Sequence, residues 1–398
     1  MWSDILVVEN GTPRLHPAIH PMPDLLSLSP ERVLERFRDS QRQDFDLVLR
    51  DMERPEGGLG ATFAALREAA GPDGAFASLP LFKDGGLRAL FEDVHDHVMG
   101  HPVWRHPFFL RVFEGRVTGP QLAAFSRHYF NQIKNTRQCV ALALGRFNGL
   151  MGLPFGVVNE RLSELTQIAL AQLIADEYGV GAHGLDDYPP LDRLLAARTH
   201  IVIYRQLFDG LGIPFAEQDV PMLPEVADNV LTQRLVAGHP AFTPLEGLAS
   251  VGLGMEWGVP EFFSLLLGGI IRWGWRNDAP LTASHLEVLS AHVRYDVLHA
   301  VSVMVVTALH MRDADDLAAV KNACNALMAS RHGMMTGLYA HVFGEPCASL
   351  ADIGLHDRWR LTDRRIAETL AQARRATAPG TVADPHYADR ATLPFVFR

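Results

Sequence analysis

The chain has 398 residues, 48% of them hydrophobic and 21% charged, with a net charge of −10 and a pI near 6.0. That length buries a large core, as one big domain or two smaller ones. The acidic balance argues against nucleic acid or an anionic membrane as the main partner and favours a small-molecule ligand, because the former reward basic patches that are not evident here.

Met1-Trp2-Ser3-Asp4 opens without the basic and then apolar pattern of a secretory signal. The apolar stretches Phe262 to Ile271 and Ala300 to Leu309 fall short of the ~20 residues that span a bilayer. Cys139, Cys324 and Cys347 form neither a disulfide framework nor a zinc spacing, so a reducing, cytoplasmic location is expected.

The first 80 residues read as an N-terminal extension: an Ile5-Leu-Val-Val8 run, a turn-rich stretch from Pro13 to Pro23, a charged helix over about 30–54, then Gly-punctuated sequence serving as a linker to Pro80. From 81 to 345 the pattern is helical, with helices expected over about 84–99, 120–150, 156–178, 191–211, 223–236, 244–269, 284–311, 314–329 and 332–342. Ser284 followed by Glu287 has the form of a capping box for the 284–311 helix. Residues 346–398 add a polar helix, about 361–376, and a tail. No alternating strand pattern of any length follows residue 80. The expected class is all-α.

Several residues carry ligand chemistry. The 156–178 helix ends in Ile174-Ala-Asp-Glu-Tyr-Gly179, where Glu177 meets the negative end of the helix dipole and a cation would offset that; Asp176 is its rival. His200 sits among residues at core-like spacing, where a satisfied core histidine is the plainer explanation. Glu256 is embedded in the nearly uncharged stretch Gly252 to Phe263, and an unpaired buried acid is costly. His292, Asp296 and His299, spaced by four and three, fall within roughly 60° of one another around a helix and leave it on one face. Taken alone, that triad is explained more simply as a surface or core His–Asp pairing than as a metal site. In combination, carboxylates and imidazoles projected from several helices suit iron or manganese.

On these motifs the stretch from Leu81 to about Gly344 resembles the heme-oxygenase-like helical bundle, in the branch holding thiaminase II-like and pyrroloquinoline-quinone-synthase-like proteins and the heme-oxygenase-like diiron oxidases and oxygenases. His101-Pro-Val-Trp-Arg-His-Pro-Phe-Phe109 and Gln121 to Phe130 look like its opening helices; Asp-Glu-Tyr-Gly at 176–179, His200 before Gly212, Glu256 before Pro260, and His292-x3-Asp296-x2-His299 look like its ligand motifs in order.

The resemblance implies Glu177, His200, Glu256, His292, Asp296 and His299 as metal ligands, Fe(II) in two ions as cofactor and O2 as co-substrate. It further implies N-oxygenation, oxidative C–C cleavage or decarboxylation, or desaturation of a small, often amino-acid-derived or fatty, molecule. Bundles of this family commonly pair as homodimers.

Two departures stand out. The helix that normally carries a further Glu reads Tyr129 to Gln138 without an acid, which leaves the number of irons open; Lys134, the expected catalytic side chain there, and Arg137 would suit a substrate carboxylate, or Lys134 would pair with a protein acid. The stretch between Glu177 and His200 is long and includes His183, a rival ligand. Alternatives are heme held by His95, a thiaminase-like metal-free enzyme with Cys139 as nucleophile, and a non-catalytic binding protein on the same bundle.

Overall fold

The computed structural model describes residues 2–9, 12–54, 56, 58–70, 83, 85–147, 157–180 and 190–376. Strands β1 (Leu6–Glu9) and β2 (Thr12–Leu15) form an antiparallel hairpin with Leu6 opposite Leu15. The remainder is helical: α1 (Pro30–Glu53), α2 (Gly58–Ala70), α3 (Gly86–Met99), α4 (Pro107–Phe113), α5 (Gly119–Leu144), α6 (Val157–Glu177), α7 (Leu191–Leu195), α8 (His200–Gly210), α9 (Pro224–Gly238), α10 (Pro244–Ala249), α11 (Val259–Arg276), α12 (Glu287–Ala308), α13 (Ala314–Phe343) and α14 (Arg364–Ala376). A π-helical turn, Ser250–Glu256, follows α10. The described residues thus form an all-α bundle preceded by one small hairpin. No helix among the described residues is long and apolar enough to cross a membrane.

Local chemistry accounts for the helix starts. Ser29 caps α1 by accepting from the Arg32 amide, with Pro30 at the first helical position, and Thr118 and Gln121 form a capping box at α5. The apolar stripe of α1, including Val33, Phe37, Phe45 and Leu49, turns inward, and α1 packs on α11 and α12 while α2 packs on α6. One continuous apolar cluster therefore runs from Ile5 to Val342, and a smaller one with Phe242, Ile366 and Leu370 ties α14 to α9 and α13. Within the bundle α13 lies on α9, α11 on α12, and α5 on both α6 and α9.

Several expectations need correction; the 244–269 helix, for one, is interrupted by the π turn and by Trp257–Gly258, and α11 runs on to Arg276. The segment around Gly58–Gly60 is helical, because α2 buries Phe63 and Leu66 against the bundle. The 191–211 helix is broken at Ala196–Thr199, where Thr199 caps α8. The expected gap at 330–331 does not exist: α13 continues through it, and Gly333 faces open space inside the helix. Ser284 does not cap α12 but donates to Gln206, and Leu286 occupies the cap position after a 3-10 turn. The linker before Pro80 lies outside the described residues.

The π turn is positioned by close packing. A Cβ on Gly252 would stand 1.9 Å from Val303 Cγ1 of α12, and one on Gly254 would stand 2.7 Å from Leu327 Cδ1 of α13. Hydrogen there lets three elements meet where larger side chains would force them apart. Gly252→Ala should accordingly lose about 1–3 kcal/mol in urea denaturation, whereas Gly333→Ala, with no atom within 4 Å of its new Cβ, should gain about 0.5–1 kcal/mol.

Glu261 of α11 is wholly buried, neither carboxylate oxygen has a hydrogen bond of good geometry, and burial pushes its carboxyl up to about 8, opposed only in part by its own backbone amide and then by Arg38. A folded value above the unfolded 4.5 means that stability from the neutral acid is full below 4.5 and lost progressively as pH rises through 8. In urea titrations Glu261→Gln should therefore gain on the wild type as pH is raised from 5 to 8; a constant difference would contradict this.

Candidate metal centre

α6, α8, the π turn and α12 bring six donors together as two triads. Glu177, His200 and His292 each present one ligand atom within 4.8 Å of the others, and Glu256, Asp296 and His299 do the same. α12 serves both: His292 turns to the first triad, and Asp296 and His299, one and two turns further on, turn to the second. The triads act on one another electrostatically, Glu177 with His299 and His200 with both Asp296 and Glu256. The expected ligand set is thus gathered in one region.

The first triad depends on how α6 ends. Gly179 adopts φ +65° just past the helix, the left-handed conformation that stops it, and a Cβ there would stand 2.4 Å from the Arg198 carbonyl oxygen. That close approach sets the capped start of α8, and with it His200, against Glu177. His200 Nδ1 and Glu177 Oε1 are 3.1 Å apart, yet the nitrogen lacks a hydrogen bond of acceptable geometry. Burial opposes charge on both, but their proximity raises His200 and lowers Glu177 from their ordinary values. His292, whose basicity burial lowers, donates Nδ1–H to the Val288 carbonyl at 2.6 Å and stacks on Phe263, centroids 4.5 Å apart. Its ring is thereby fixed with Nε2 left to bind.

The second triad has a similar backing. His299 Nε2–H donates to Asp176 Oδ2 at 2.9 Å, while Gln172 Nε2 donates to the other oxygen of Asp176 at 2.9 Å. Asp176 therefore stands behind the imidazole, and His299 Nδ1 faces Asp296 Oδ1 at 3.4 Å and Glu256 Oε2 at 4.0 Å. Burial would lower His299, but Asp176 and Asp296 raise it to about 11. Burial, then Asp296, pushes Glu256 up to about 8.

His200 Nδ1, His299 Nδ1 and Asp296 Oδ2 are buried without hydrogen bonds. Such orphans are rare in folded proteins, and here three of them point among nitrogen and carboxylate donors. The arrangement fits divalent iron or manganese: mixed imidazole and carboxylate, no thiolate, and histidines oriented by partners behind them.

Lys134, His95 and Cys139 fall elsewhere. Lys134 is buried, donates to Asp219 Oδ1 at 2.5 Å and lies 4.2 Å from the Phe130 ring centroid, so it has a protein acid as partner. His95 is wholly buried, stacks on Phe91 and accepts from Trp257 Nε1. Cys139 is a core thiol that burial pushes up to about 12, which leaves it a poor nucleophile. His183 lies outside the described residues.

Sequence reasoning missed two side chains that flank Glu256. A π turn leaves carbonyls without ordinary helical partners. Arg331 Nη2 of α13 donates to the Met255 carbonyl at 3.0 Å, and Gln41 Nε2 of α1 donates to the Trp257 carbonyl at 2.6 Å. The signals were one charged and one amide residue on otherwise apolar helix faces. Arg331→Met should weaken metal binding at the second triad by about 10–100-fold, the cost of losing an orienting partner, with Arg331→Lys recovering part of it in iron titrations; equal affinity in all three would contradict the assignment.

No protein-family model and no curated protein matches the chain. Among solved structures, a TenA homolog from Pseudomonas syringae pv. tomato str. DC3000 is similar to it over 65% of this chain and 92% of its own length, at 11% sequence identity and a TM-score of 0.44, too distant a likeness to assign an activity.

Proposed function

We propose that the chain is an O2-dependent oxidase or oxygenase of the heme-oxygenase-like diiron kind, acting on a small molecule. The observation that carries this reading is the convergence of two largely buried nitrogen–carboxylate triads in which His200 Nδ1, His299 Nδ1 and Asp296 Oδ2 lack hydrogen-bond partners. Glu177, His200 and His292 would hold one Fe(II), and Glu256, Asp296 and His299 the other. Iron so held supplies the redox chemistry for reducing O2.

The chain's own residues define the rest of the site. Val288 and Asp176 keep the two α12 imidazoles in the tautomers that turn a nitrogen inward. His299, strongly basic between Asp176 and Asp296, must release its Nδ1 proton for that nitrogen to bind a cation, so metal uptake is coupled to proton release. Phe262, Phe263, Val293 and Val297 bury the surroundings and limit water. A cavity of about 210 Å³ lined by Asp176, Arg198, His200, Tyr295, Asp296 and His299 gives access from the α8 side.

Anaerobic titration with Fe(II) should reach two ions per chain, with O2 consumed on exposure to air. His292→Ala should fall to about one ion or fewer and lose O2 consumption. Absence of iron uptake by the wild type, or a Soret band after heme addition, would overturn the reading.

A further inference from the structure

A second cavity reaches the candidate centre at His299. It encloses about 360 Å³ between α1, α2, α6 and α12, and its lining includes Val48, Phe63, Ala169, Leu173 and Val305. That volume lies within the range of small-molecule sites, ~300–1,000 Å³. His299 is the one lining residue it shares with the polar cavity, so the imidazole stands between the two.

The cleft's direction follows from helix periodicity. On α12 the positions 299, 302, 306 and 309 form one stripe, and on α6 the positions 165, 168, 169, 172 and 173 form another that continues to Asp176. The helices run antiparallel, joined at one end by Asp176 and His299 at 2.9 Å and at the other by Thr166 and His310 at 2.8 Å. The cleft follows α12 from His299 to Leu309, about 15 Å at 1.5 Å per residue.

Apart from His299, its polar lining side chains are turned to other partners: Gln172 donates to Asp176, and Ser302 donates to the Leu298 carbonyl. Hydrocarbon is what it presents. Its outer wall comes from α1 and α2, through Val48 and Phe63 of the N-terminal segment.

We propose that this cleft binds the apolar chain or ring of a small molecule whose polar end lies at His299, and that the N-terminal segment builds one wall of the site. That the occupant is a substrate rests on the proposed function; that the cleft binds apolar chains does not. The occupant's chemistry follows from the walls: a flexible apolar segment of up to about 15 Å, bearing its reacting group at one end and no charge along its length.

The test uses the full chain after chelator treatment, with 1-aminoanthracene as a neutral fluorescent probe displaced by 1-alkanols of increasing length, and with iron uptake measured separately on the same preparations. Alkanol affinity should rise up to about fourfold per added methylene, the factor that ~0.8 kcal/mol per buried CH2 corresponds to. It should level off once the cleft is filled. Ala169→Phe, which fills the cleft, should weaken binding at least tenfold, and Ile168→Glu, a change at an exposed rim position that leaves the fold undisturbed, should do so at least fivefold. Affinity independent of chain length, or wild-type affinity in Ile168→Glu, would overturn the proposal. Iron uptake without chain binding sinks the cleft alone, whereas length-dependent binding without iron uptake upholds the cleft and sinks the metal reading.

Discussion

Three carboxylates, Glu177, Glu256 and Asp296, are buried within one small region beside three imidazoles. Removing carboxylates from water is expensive unless positive charge accompanies them. The surrounding residues offset this only in part: His200 and His299 gain basicity from their acidic neighbours, and Glu256 is driven toward its neutral form. A protein that keeps such a cluster in its core carries an electrostatic cost that bound cations would reduce.

The architecture around the cluster is arranged to tolerate that cost. α12 is anchored on both sides, by α11 packed against it and by Val303 seated on Gly252 of the π turn. The turn aims Glu256 at α12, Arg331 donates to the Met255 carbonyl within it, and Gln41 donates to the Trp257 carbonyl just after it. Gln41 comes from α1, so the N-terminal segment contributes to the centre as well as to the apolar cleft. Asp176 links the two cavities, bonded to Gln172 on the cleft side and to His299 at the centre.

What was legible in the sequence follows from the range of the interactions. His292, Asp296 and His299 lie on one helix, and a three-four spacing is read without tertiary information. Glu177 and Glu256 stood out locally, as an acid at a helix C-terminus and an acid in an uncharged stretch, but their convergence with His200 was expected only through family resemblance, because it requires the Gly179 turn and the π turn, neither of which periodicity at 100° per residue detects. The partner roles of Asp176, Gln41 and Arg331 depend on contacts between distant elements and were hidden for that reason. Helix boundaries failed where a usual signal was outweighed: Gly333 sits within α13 facing solvent, and α2 forms between glycines because Phe63 and Leu66 have a core to enter. The all-α class itself, carried by long apolar periodicity, was plain.

The two triads, as proposed, require two cations at defined positions along one face of α12. Anomalous diffraction from crystals grown with Fe(II) or Mn(II) tests this most directly. The account predicts two peaks per chain, one among Glu177, His200 and His292 and the other among Glu256, Asp296 and His299. No peak at either triad, or metal bound only elsewhere, would contradict it.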